Sequence, residues 1–197
     1  MQIRTIGFIG YGEVGKTFSA GLKDQPDVAG LSAWDLKFVD AKLQAAEKAH
    51  AAQAAVTAQP SMQALCVNAD LIISAVTASN TLAVAQEAAR HIRPGSIFLD
   101  LNSASPGTKQ QAAALIDAAG AFYVEAGVMT SVPPYGIRVP MLLGGVHAAE
   151  LAGVLTGWGM DAKAVSEELG VASAIKMCRS VMIKGLEALV IESYATA

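Results

Sequence analysis

Short apolar runs alternate along the chain with segments of helical periodicity. Residues 6–9 read as a first strand, and 30–35, 70–76, 96–101, 121–126 and 139–145 have the length of further buried strands. A last short strand is covered by 158–165. Between the runs, Phe18 and Leu22 lie four apart in 16–22, the first turns of a helix. Residues 41–58 are rich in alanine, the strongest helix former, and predict one continuous helix. Residues 62–68 form a short helix or turn. A helix through Leu82, Val84 and Ala88 to His91 takes Ser79 or Asn80 as its cap and stops at Arg93-Pro94-Gly95. Residues 108–119 and 148–155 are helical as well. Strands alternating with helices predict an α/β fold with a doubly wound, mostly parallel sheet covered on both faces.

The pattern changes at the end. Residues 171–197 contain no proline and only Gly185 among helix formers, with Ile175, Met182, Leu186, Leu189 and Val190 at helical spacing. A single helix of ~25 residues reaches about 37 Å, longer than a small domain needs. The expected division is an α/β domain over 1–168 and a long helix over 169–197.

Gly10, Gly12 and Gly15 follow the first strand at the spacing G-x-G-x-x-G and open a helix. In that context the first glycine makes the tight turn, the second admits a pyrophosphate and the third lets helix and strand pack closely. The helix N-terminus then faces the ligand's negative charge. Asp35 ends the second run, 20 residues after Gly15, where a carboxylate holds ribose hydroxyls and repels a 2′-phosphate. NAD is therefore expected over NADP, although Lys37, two residues on, leaves room for NADP. Gly10, Tyr11, Gly12, Glu13, Val14, Gly15, Asp35, Val76 and Thr77 are the candidate cofactor residues. In parallel sheets ligands sit beyond the carboxyl ends of the strands, so the loops at Gly10, Asp35, Thr77, Asn102 and Met129 should gather on one rim.

Composition narrows the classes. Hydrophobic residues make up 53% and charged ones 16%, which excludes a disordered chain. No apolar run reaches the ~18 residues of a membrane span, and a strand starting so near Met1 leaves no room for a leader. A net charge of −3 without a basic cluster argues against nucleic acid. Cys66 and Cys178 are expected to be reduced and partly buried, and no histidine pairing suggests a metal site. A cytoplasmic protein is the expectation.

Three motifs resemble the β-hydroxyacid dehydrogenase superfamily, which includes 6-phosphogluconate and 3-hydroxyisobutyrate dehydrogenases. They are the glycine turn, Asp100-Leu-Asn102-Ser103-Ala-Ser105-Pro106 as the substrate loop, and Lys176 with Ser180 on the last helix as the catalytic stretch. The likeness is nearest to a little-characterised branch. It implies a Rossmann-type domain, a long interdomain helix and a helical C-terminal domain that completes the site; the chain stops where that domain is expected. Ser180 stands where relatives carry an amide, and Met129-Thr130-Ser131 where many carry Ser-Gly-Gly.

The resemblance implies NAD(P)-dependent oxidation of a small 3-hydroxy acid. Lys176 would be the general acid/base, aided by Ser103 and by Ser180, which four residues on shares its helix face. Asn102, Ser103, Met129, Thr130 and Ser131 would bind substrate, Lys184 would add positive charge, and Tyr135 is a lesser candidate proton donor. Two other readings stand beside it: an imine reductase of the same architecture, and a non-catalytic cofactor-binding fragment. An exposed apolar stripe on the long helix favours a homodimer.

Overall fold

The computed structural model describes residues 2–196. Met1 and Ala197, the expected limits of the first domain and of the last helix, lie outside the described residues. Among these residues, β1 (Thr5–Ile9), β2 (Gly30–Trp34), β3 (Val56–Ala58), β4 (Leu71–Ser74), β5 (Ile97–Asp100), β6 (Phe122–Val128), β7 (Met141–Gly144) and β8 (Ala162–Ser166) form one sheet. Its order is β3-β2-β1-β4-β5-β6-β7-β8. All neighbours are parallel except β6 and β7. The helices are α1 (Glu13–Leu22), α2 (Gln44–Gln53), α3 (Met62–Cys66), α4 (Thr81–Ala89), α5 (Pro106–Ala118), α6 (Ala148–Gly157) and α7 (Val171–Thr196). The fold is the expected Rossmann-type α/β sheet followed by a long C-terminal helix.

The central strands read as continuous apolar runs because both faces are covered. Leu71 and Ile73 enter one core with Phe8, Phe18 and Leu99, while Ile72 enters the other with Leu65, Phe98 and Ile116. Helices on both faces thus leave the strand ends, and not the sheet faces, for ligands. No helix among the described residues is long and apolar enough to cross a membrane.

Two expectations need correction. The alanine-rich segment is not one helix: α2 ends at Gln53, Ala55 takes a positive φ of 58°, and Val56–Ala58 joins the sheet as the edge strand β3. Alanine propensity favours helix along the whole segment, but the open edge of β2 offers hydrogen bonds that only an extended chain can take. Asn80 does take the N-cap position of α4, but its side chain makes no capping hydrogen bond. A 3₁₀ turn, Ala78–Asn80, leads into that helix, and Asn80 Nδ2 donates to Thr77 Oγ1 instead. On α5 a side-chain cap does form: Ser105 Oγ accepts from Thr108 N–H and Pro106 takes the first position.

Candidate functional site

Strand order reverses between β1 and β4, and the glycine turn lies at that point. Gly10 has φ +97°, and a Cβ there would stand 2.3 Å from the Ala75 carbonyl oxygen, beyond the end of β4. Gly15 packs α1 onto the turn: its Cβ would lie 2.3 Å from the Gly10 oxygen. Gly12 is different. A Cβ there meets nothing within 4 Å, and no side chain caps α1 at this residue. The turn is a bare cradle of backbone at a helix N-terminus, which fits a pyrophosphate.

Beside it opens a cleft of about 570 Å³ lined by Gly10, Gly12, Trp34, Asp35, Met62 and Val84, among others. Its apolar walls suit an adenosine. Asp35 stands among these walls, with Oδ2 accepting from Tyr11 N–H at 2.7 Å and Oδ1 from Lys37 N–H at 2.9 Å. One donor on each oxygen orients the carboxylate and leaves lone pairs for ribose hydroxyls. Glu13, Val14, Val76 and Thr77 line the same cleft. Tyr11 does not: its ring is fully buried against Phe38 and His50, so only its backbone takes part. Lys37 extends toward Glu47 at 3.9 Å, a carboxylate that also pairs with Lys16 at 2.8 Å.

A second cleft, about 860 Å³, continues past Val76 and Thr77 to α7. Asn102, Ser103, Met129, Thr130, Ser131, Lys176 and Ser180 all line it, so the residues expected to bind substrate and do chemistry meet in one place. Lys176 Nζ donates to Ser103 Oγ at 2.6 Å. Burial first, then the charge of Lys109, hold its amine below the usual lysine range, with Asp100 opposing. Asn102 is turned inward. Its Oδ1 accepts from Val76 N–H at 2.7 Å and its Nδ2 donates to Ser74 Oγ at 3.0 Å, so its amide ties the strand ends together and leaves substrate contact to Ser103.

Several residues here were not legible in the sequence. Arg179, three positions after Lys176, lines the same cleft and donates to the Met129 carbonyl; helical spacing from Lys176 was the available signal. Glu187 continues that stripe of α7 along the cleft wall beside Lys184, which the sequence did put forward. Gly127 lets the helix approach β6: a Cβ there would meet the Ala172 oxygen at 3.0 Å and Lys176 Cβ at 3.4 Å. Glu125 is buried and anchors the start of α7. Its Oε1 accepts from Gly170 and Ala172 N–H at 2.7 and 3.1 Å, and its Oε2 from Ser173 Oγ at 2.7 Å. A Glu125→Ala change should cost about 3 kcal/mol, because these donors lose a charged acceptor inside the protein. Urea unfolding checks this, and Glu125→Gln should recover part of the loss. Tyr135 is exposed and lies outside the cleft lining.

The sequence profile of the NAD binding domain of 6-phosphogluconate dehydrogenase matches residues 5–134. The chain belongs to that family. A conserved hypothetical protein from Sinorhizobium meliloti 1021 is 42% identical with a TM-score of 0.89, over 100% of this chain and 65% of that one. A conserved protein of unknown function, described as structurally similar to 3-hydroxyacid dehydrogenases, is 32% identical with a TM-score of 0.79, over 96% of this chain and 68% of that one. This chain therefore spans about two thirds of the length of these relatives. The same fold occurs at 20% identity in a Mycobacterium tuberculosis 3-hydroxyisobutyrate dehydrogenase bound to L-serine (TM-score 0.81). It occurs again, also at 20%, in an imine reductase from Myxococcus stipitatus bound to NADP+ (TM-score 0.78). As a member of the family, the chain carries its NAD(P)-binding domain. Among the described residues, no three His, Cys, Asp or Glu side chains gather as metal ligands would.

Proposed function

We propose that this chain is the cofactor-binding part of an NAD(P)-dependent dehydrogenase that oxidises a small 3-hydroxy acid, or reduces its oxo partner. The observation that carries the reading is the Lys176–Ser103 contact in a cleft that continues from the dinucleotide crevice. When bound, the nicotinamide takes up or gives the hydride. Lys176, with a depressed proton affinity, removes the hydroxyl proton and returns it in the reverse direction. Ser103 Oγ positions the amine and shares the substrate oxygen. The hydroxyls of Thr130, Ser131 and Ser180, with Arg179 and Lys184, offer donors and positive charge to the acid's carboxylate. Lys176 is catalytic in this reading, with Ser103 and Ser180 assisting.

NAD is the preferred cofactor in this account, because Asp35 faces the crevice where a 2′-phosphate would have to sit beside its charge. Asp35→Ser should weaken NADH binding ~10-fold, the worth of a charge-assisted hydrogen bond, and remove most of the discrimination against NADPH. Paired fluorescence titrations check this. The exposed side chains Val181, Leu186, Leu189 and Ile191 on α7 support assembly through this helix as a homodimer. Two cysteines without a disulfide, Cys66 buried and Cys178 exposed, suit the reducing cytoplasm.

The test is a panel of 3-hydroxy acids with NAD and NADP, and of cyclic imines with the reduced cofactors, on the protein as its host makes it. Cofactor reduction with one or more acids is expected. Reduction of imines with no turnover of any acid would overturn the reading.

A further inference from the structure

Beneath the Lys176–Ser103 contact lies a buried charged cluster that lines neither cleft. Lys109, on α5, is fully buried. Its Nζ donates to Asp100 Oδ1 at 2.9 Å and to the Asp100 backbone oxygen at 2.8 Å. Asp100 Oδ1 also accepts from Asn102 N–H at 2.8 Å, and Oδ2 from the Tyr123 hydroxyl at 2.6 Å. Asn102 in turn grips Val76 and Ser74. One buried carboxylate therefore joins α5, β5, β6 and the turn that carries Ser103.

Stability alone does not call for such a cluster. Taking an ammonium and a carboxylate out of water costs several kcal/mol each, and well-packed apolar residues of the same volume often serve the fold as well. The pair lies under the turn where Lys176 is held, which suggests a role in the site.

We propose that Lys109 is a positioning residue of this dehydrogenase: through Asp100 and Asn102 it fixes the turn that presents Ser103 to Lys176, and its buried charge opposes a second positive charge on Lys176. The proposal rests on the reading of Lys176 as the base. The charged groups acting with Lys109 are Asp100 on β5, Glu125 on β6 and Lys176 on α7, and Tyr123 on β6 bonds to Asp100. Glu125 is committed to the start of α7, and the proton of the Tyr123 hydroxyl is held by burial and by the Asp100 charge. Burial first, and then the charge of Lys109, disfavours the proton of Lys176, while Asp100 favours it. Its helix neighbours Arg179 and Lys184 share the cleft.

The sign follows. Lys109 outweighs Asp100 in its action on Lys176, so removing both charges should raise the proton affinity of Lys176. Removing Lys109 alone leaves Asp100 unopposed and should raise it further. The experiment titrates Lys176 directly, by ¹³C NMR of reductively methylated lysines, with its resonance identified by loss in Lys176→Arg. The proteins compared are wild type, Lys109→Met and the double variant Lys109→Met/Asp100→Asn. Lys109→Met strands a buried carboxylate and risks unfolding; the double variant strands no charge, and only protein shown to be folded by circular dichroism is titrated. We expect Lys176 in the double variant to bind its proton at least ~3-fold more tightly. The acid limb of the hydroxy-acid oxidation profile should move to higher pH by the same factor. An unmoved Lys176 resonance in the folded double variant would overturn the proposal, as would a moved resonance with an unmoved acid limb. A wild-type protein that turns over no hydroxy acid would instead overturn the function proposed above, and the NMR titration separates the two failures.

Discussion

Lys176→Ala should lower kcat for hydroxy-acid oxidation by ~10²–10⁴, the usual contribution of a positioned acid/base, while NADH binds as before. Lys176 lines the cleft next to the dinucleotide crevice but not the crevice itself, so only the chemical step should fail. In the proposed mechanism the active form of wild type in oxidation is the neutral amine. Burial and Lys109 hold Lys176 below the ordinary lysine range; activity should therefore rise with pH along an acid limb centred below that range, and the limb should vanish in the variant. Steady-state kinetics across pH, with cofactor titration of the same preparations, read both effects. Turnover within threefold of wild type, with the acid limb intact, would remove Lys176 from the mechanism.

Gly10→Ala should cost on the order of 3 kcal/mol or more and abolish cofactor binding. Two penalties add. A non-glycine residue at φ +97° is strained, and the new methyl group would stand 2.3 Å from the Ala75 carbonyl oxygen, a backbone atom of the central sheet that cannot step aside. Gly12→Ala provides the contrast. Its Cβ meets nothing within 4 Å, so the fold should keep its stability to within ~1 kcal/mol. The methyl would instead occupy the space the cradle leaves for a pyrophosphate, and binding should fall. Urea unfolding and NADH titration of the two variants thus separate the glycine that builds the turn from the one that receives the ligand.

Much of this was legible in the sequence because it rests on local chemistry. Continuous apolar runs mark strands buried on both faces, and glycine spacing marks a turn that only glycine makes. What escaped depended on pairings between distant segments. Val56–Ala58 becomes a strand only because the edge of β2 lies beside it; no local propensity in an alanine-rich segment announces that. Tyr11 sits inside the fingerprint, yet its ring packs into the core under Phe38, and nothing in the spacing says which way it turns. Nothing in the sequence marks Lys109 on the helix after Pro106; its burial against Asp100, nine residues earlier, depends on how helix and strand pack. Asn102 reads as a substrate ligand, and nothing in the spacing says that its amide also bonds Val76 N–H and Ser74 Oγ.

The central claim is that the glycine cradle and Asp35 form a dinucleotide site with a preference for NAD. Fluorescence titration of the purified protein with NADH and, separately, with NADPH tests it most directly. The account predicts saturable binding of both, tighter for NADH. A folded protein that binds neither would contradict the claim, and one that binds NADPH more tightly would contradict the part assigned to Asp35.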